Sequence, residues 1–148
     1  MAILIPVLFA PTFQKENPSI PIPNDGTLMW PAPGIQQINS YFGKRTAPTN
    51  GASSYQKGVD IGAPEGHEFV AVTNGTISYT GFLGGGGYTI TLTDFNTENG
   101  EIKYSYCHCN PNFIVSVGQK VTKGQIIGYV GPKYVYGVVR KYIQRFFW

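Results

Sequence analysis
Between residues 38 and 130 the chain alternates short apolar runs with turn residues, and no stretch before residue 138 holds a helical period. The runs are Ile38–Phe42, Glu68–Val72, Thr76–Phe82, Tyr88–Thr93 and Ile102–Cys109, each rich in the β-branched and aromatic residues that strands favour. Ala63-Pro-Glu-Gly66 is a turn by composition. Asn74-Gly75 gives a strong hairpin signal. Asp94–Gly100 reads as a polar loop. From Val115 to Val130, Gly118 and Gly124 punctuate two short strands, with Lys120 and Lys123 expected exposed between them. The pattern predicts an all-β, mainly antiparallel domain.

The ends differ from this middle. Met1–Ala10 is apolar, interrupted by Pro6, without a basic start, and too short to span a bilayer, so it gives no clear signal peptide. Residues 11–34 recur in proline among Asn, Ser and Asp, as extended linkers do. The expected division is residues 1–27 as apolar start and linker, 28–137 as the globular domain, and 138–148 as a basic, aromatic tail of different character. As a helix or strand on the surface, that tail would expose aromatics and offer a patch for a partner.

Composition narrows the classes. Gly 19 and Pro 11 in 148 residues favour a turn-rich β protein. A net charge of +3 is too small and scattered for a nucleic-acid footprint. Cys107 and Cys109 are too close for good disulfide geometry, and on a strand they share one face with His108 opposite. They are expected as two small buried apolar side chains.

The candidate chemistry centres on Tyr55–Gly66. Asp60 lies at a glycine-flanked corner there, four residues after Gln56. His108 falls near the end of a later strand, and His67 sits just past a turn, where it reads as a surface or strand-edge residue. The tetrad Gly84–Gly87 lacks the following Lys-Ser or Lys-Thr of a phosphate loop and is expected to be a flexible hairpin.

In order and spacing, Ser40-Tyr-Phe-Gly-Lys-Arg45, Gly58-Val-Asp-Ile-Gly-Ala-Pro64, Asn74-Gly75, Gly86-Gly-Tyr88, Tyr106-Cys-His108 and Val117–Gly128 resemble the lysostaphin/LytM-type zinc endopeptidases, which cut the peptide parts of bacterial peptidoglycan. The resemblance runs from about Trp30 to Gly131 and implies the sandwich-like β fold of that family, here missing its last strands and so leaving an open sheet edge. It also implies a peptidoglycan peptide as partner and a location outside the cell or in the cell envelope. The family's zinc takes a histidine and an aspartate four residues apart, plus the last histidine of a His-x-His motif. Asp60 matches the aspartate, Gln56 stands at the first histidine position, and no histidine follows His108 to supply the pair. His108 matches the histidine of a Tyr-x-His motif, which helps activate water or stabilise the oxyanion. A glutamine carbonyl is a poor substitute for imidazole. Tight zinc binding and hydrolysis are therefore not expected, and Asp60 is either a relict ligand or a corner residue bonding nearby backbone.

Two accounts of such a site stay open: an enzyme that has lost its ligands, or a non-catalytic scaffold or peptidoglycan-binding domain of the envelope. A lipoyl or biotinyl carrier would explain Val115–Val130, but neither Met1 nor Met29 precedes a lysine.

Overall fold
The computed structural model describes residues 26–48, 50–98, 100–132, 134–135, 138–139 and 144–147. The apolar start and the linker up to residue 25 lie outside them. The strands are β1 (Ile38–Ser40), β2 (Gly43–Lys44), β3 (Tyr55–Gln56), β4 (Val59–Ile61), β5 (Glu68–Val70), β6 (Gly75–Phe82), β7 (Tyr88–Thr97), β8 (Gly100–Tyr106), β9 (Lys120–Val121), β10 (Ile126–Tyr129), β11 (Tyr134–Val135), β12 (Val138–Val139) and β13 (Gln144–Phe147). Seven of them form one sheet in the order β1-β4-β13-β8-β7-β6-β9. The pairs β10-β5, β11-β12 and β2-β3 form separate two-stranded sheets. All pairings are antiparallel, and the only helical turn among the described residues is the 3-10 turn Gly84–Gly86.

The core forms where the small sheet β5–β10 covers one face of the large one. Phe69 of β5 stacks on Tyr106 of β8 with centroids 5.1 Å apart. Burying an aromatic side chain of this size contributes about 1.5–3 kcal/mol. Ile77, Ile90, Leu92 and Ile127 fill the space around the pair. The Tyr106 hydroxyl donates to Val70 O and accepts from Val72 N–H, both at 3.0 Å, so its one polar atom is satisfied inside the core. The opposite face of the large sheet is polar. Ser78 and Thr93 are joined by a 2.7 Å hydroxyl bond, and Thr91 and Ser105 by one of 3.1 Å.

The run of strands β6–β7–β8 was legible in the pattern, although β7 continues to Thr97 and β8 begins at Gly100, so strand takes up most of the expected polar loop. Asn74-Gly75 does not join a hairpin. It carries the chain from the small sheet to the large one, since β5 pairs with β10 and β6 pairs with β7 and β9. A Cβ on Gly75 would lie 2.5 Å from Thr93 O, so close backbone approach selects glycine here.

Gly118 and Gly124 both have positive φ, as expected of turn glycines, and the two turns repeat one set of bonds. Gly118 N–H donates to Ile77 O and Gly124 N–H to Ala71 O, while the side chains of Gln119 and Gln125 accept from Ser116 N–H and Thr122 N–H. Lys120 is exposed. Lys123 is not: it is only 6% exposed, and its Nζ donates to Thr27 Oγ1 at 2.9 Å. The chain is tied to the core from Met29 onward, because Met29 N–H donates to Val72 O and Val70 N–H to Pro31 O.

Gln144–Phe147 lies between β4 and β8, with Phe146 in register with both Val59 and Tyr106. That strand stands where the sequence led us to expect an open edge, so part of the tail is built into the sheet.

Candidate functional site
Asp60 occupies the middle of β4, a three-residue strand between β1 and β13. Its register partners are Ser40 on one side and Arg145 on the other. Strand alternation turns Asp60 away from the core face that holds Val59 and Tyr106, towards the polar face of the sheet. Its side chain is completely buried all the same. A buried carboxylate is tolerated only when hydrogen-bonded and paired.

Both requirements are met by this chain's own residues. Gln56, itself 2% exposed, donates from Nε2 to Asp60 Oδ1 at 2.5 Å. Arg45 donates from Nη1 to Asp60 Oδ2 at 3.2 Å. The guanidinium is anchored from behind, with Nη1 on Ser40 Oγ at 3.0 Å and Nε on Ser53 O at 3.3 Å. Local structure places all four groups. β1 aligns Ser40 with Asp60, and β2–β3 aligns Gly43 with Gln56. Arg45, one residue past β2, returns across the corner, with its own N–H on Ser54 O.

His108 lies two residues past the end of β8. β13 separates β4 from β8, which puts their axes about 9.6 Å apart at ordinary strand spacing. β8 ends at Tyr106, so the regular alternation stops before His108. His108 has φ 58, the one positive value at a non-glycine residue among those described. Its N–H donates to Gly86 O and its carbonyl accepts from Gly131 N–H, both at 2.8 Å. The glycine tetrad packs directly against it: a Cβ on Gly87 would lie 3.3 Å from His108 Nδ1, and Gly87 has φ 63. The tetrad is thus a turn fitted to His108. His67 lies elsewhere, half-buried, with Nε2 3.0 Å from Pro33 O.

Cys107 and Cys109 are free and buried, as expected. Thr89 Oγ1 donates to Cys107 Sγ at 3.8 Å, and Cys109 Sγ donates to Tyr106 O at 3.0 Å. Burial, then the neighbouring Cys107, pushes the Cys109 thiol up from its ordinary value. Burial does the same to the Tyr106 phenol, and burial with Asp94 raises that of Tyr104. These groups are held neutral and belong to the core.

The sequence reading missed Arg45. It lay within Ser40–Arg45, a motif quoted for the resemblance, but it is fifteen residues from Asp60 and nothing in the spacing joined the two.

A zinc ion of the kind the resemblance implies does not fit this arrangement. Each carboxylate oxygen already accepts a hydrogen bond, one from a cation, and a second cation at the same atoms would meet the guanidinium at close range. The side chain at the histidine position points its amide N–H, not a lone pair, at the aspartate. Among the described residues no group of three or more His, Cys, Asp or Glu could hold a metal ion.

The sequence pattern of Peptidase family M23 matches residues 54–139, more than half of the chain. Among curated proteins, none matches. Among solved structures, Helicobacter pylori Csd3 aligns at 25% identity and TM-score 0.60 over 81% of this chain and 30% of its own. The catalytic domain of the antimicrobial peptidase lysostaphin from Staphylococcus simulans aligns at 26% identity and TM-score 0.56, over 74% of this chain and 75% of its own. A zinc containing peptidase from Vibrio cholerae, at 22% identity and TM-score 0.61 over 80% of this chain and 39% of its own, shares the fold. The chain therefore spans less than a third of Csd3 and three quarters of the lysostaphin domain.

Proposed function
Because the chain belongs to peptidase family M23, we propose that it is a non-catalytic member that binds the peptide part of bacterial peptidoglycan without cutting it. The observation that carries this is the pairing of both Asp60 oxygens, one with Gln56 and one with Arg45. A catalytic zinc needs three protein ligands and an open position. Asp60 is a relict ligand converted to an internal counter-ion, Gln56 holds the lost histidine's place, and His108 keeps the position of the residue that would have assisted water attack. Without a metal, His108 has no polarised water to act on.

What remains usable is the polar sheet face and the loops around it. Tyr41, Phe42 and Tyr55 are exposed on and beside β2–β3, with Phe42 and Tyr55 edge to face at 5.6 Å. Peptidoglycan is the substrate class of the resemblance, and the mildly positive charge suits an anionic wall. The site of action is then the cell envelope or the medium. No helix among the described residues is long and apolar enough to cross a membrane.

The test is co-sedimentation with purified sacculi, run beside an assay for released amino groups. Binding that saturates with no release is expected. Absence of binding by folded protein would sink the binding role, and sustained release of amino groups would sink the loss of catalysis.

A further inference from the structure
The ribbon β2–β3 has two unlike faces. Gly43 pairs with Gln56, and Lys44 with Tyr55. Gln56 is buried and turned to Asp60 on the inner face. Strand alternation sends the next positions the other way, so Lys44 and Tyr55 share the outer face. Continuing the register by one step sets Phe42 opposite Lys57 on that same face. All four side chains are exposed, Phe42 at 55% and Tyr55 at 44%.

The four make a checkerboard. The rings of Phe42 and Tyr55 lie on one diagonal and meet edge to face, with centroids 5.6 Å apart. Lys44 and Lys57 lie on the other diagonal, their stems about 7–8 Å apart. Among the described residues neither lysine forms an ion pair. Residues 26–59 contain no aspartate or glutamate, and the next acid, Asp60, is buried against Arg45. Exposed rings set beside uncompensated cations mark a docking surface for an anion that also carries apolar faces.

The kind of cation narrows the anion. Where this chain holds a carboxylate, at Asp60, it uses a planar guanidinium. On the outer face it uses ammonium groups, point charges that suit a tetrahedral phosphate and need no bidentate fork. Two lysines are too few to track a nucleic-acid backbone, and the net charge of +3 agrees.

We propose that the outer face of β2–β3 docks a phosphodiester-linked sugar polymer of the bacterial wall. Its sugar rings lay their C–H faces on Phe42 and Tyr55, and its phosphates pair with Lys44 and Lys57. The choice of a wall polymer rests on the envelope location proposed above. The face itself is turned away from Gln56 and Asp60 and does not require a bound peptide.

The experiment titrates the full chain with the phosphodiester-linked polymer extracted by acid from bacterial walls, and pellets the same chain with the stripped sacculi. Lys44→Gln/Lys57→Gln and Phe42→Ala/Tyr55→Ala are each expected to weaken polymer binding about tenfold. Binding by the unaltered chain is expected to fall as salt rises. Lys103→Gln/Lys120→Gln removes the same charge from exposed lysines elsewhere and is expected to change affinity by less than about twofold. Urea midpoints check that each variant is folded; if the alanine pair lowers the midpoint, Phe42→Leu/Tyr55→Leu takes its place, with the same loss expected. No polymer binding by the unaltered chain, unchanged binding by both ribbon variants, an equal loss in the control pair, or tighter binding of a single-stranded oligonucleotide with the same number of phosphates would each overturn the proposal. Both ribbon variants are expected to pellet with stripped sacculi as the unaltered chain does, so the peptide reading and this one fail separately.

Discussion

The guanidinium of Arg45 lies 3.2 Å from the carboxylate of Asp60, and the two are largely withdrawn from water. The charge opposite Asp60 is an arginine supplied from fifteen residues upstream. The pairing explains how a completely buried carboxylate is kept on a short strand.

Removing either partner should therefore be costly. Arg45→Met takes the guanidinium from a buried carboxylate, and Asp60→Ala takes the carboxylate from a largely buried guanidinium. Each is expected to destabilise the fold by about 3–5 kcal/mol, read as a shift in the urea midpoint. The double variant is expected to lose clearly less than the sum of the two. Arg45→Lys should not rescue, because one ammonium cannot reach Ser40, Ser53 and Asp60 together as the planar fork does.

Restoring the histidine should not restore the metal. Gln56→His supplies one imidazole, but Arg45 stays on Asp60 and a third ligand is still wanting. After incubation with zinc and desalting, the variant is expected to keep less than about 0.1 equivalent by elemental analysis, against one for a closed three-ligand site.

Stability should fall on the alkaline side. The Cys109 thiol and the Tyr106 and Tyr104 phenols are buried and held neutral, so their folded pKa values lie above the ordinary 9.0 and 10.0. Their contribution is intact below those values. It is lost as pH climbs past them, because the unfolded chain ionises first and the folded one resists. Urea midpoints are expected to be flat from pH 7 to 8.5 and to drop steadily from pH 9 to 11 as these groups ionise in the unfolded chain. A Cys109→Ala variant should show a shallower drop between pH 9 and 10.

Gly128→Ala probes the joint between the two sheets. Its Cβ would fall 2.5 Å from Phe69 Cζ and 3.1 Å from Ile90 Cδ1, at the stack on which the small sheet rests. Overpacking of about 1–3 kcal/mol is expected, seen as a lowered midpoint with the same slope.

The strands of this protein were plain in the sequence, since Thr76–Phe82, Tyr88–Thr93 and Ile102–Tyr106 carry the residues strands require and pair with their neighbours. Which sheet each strand joins was not. Asn74-Gly75 says that the chain turns, and a turn between two sheets needs the same dipeptide as a hairpin. Lys123 looked exposed because its partner, Thr27, is ninety-six residues away. Separation in sequence also hid β13, whose partners lie near residues 60 and 105. At the site, Asp60 and Gln56 were marked by their spacing, whereas Arg45 acts through a register set by β1, β2 and β3 that no local signal records.

The most direct test of the account is the zinc content of the unaltered protein. The chain is incubated with a tenfold excess of zinc, desalted, and measured by elemental analysis alongside its protein concentration. With Asp60 held by Arg45 and Gln56, well under 0.1 equivalent should remain. One equivalent retained per chain, lost on adding a chelator, would mean that the guanidinium yields the carboxylate to metal and would contradict the account.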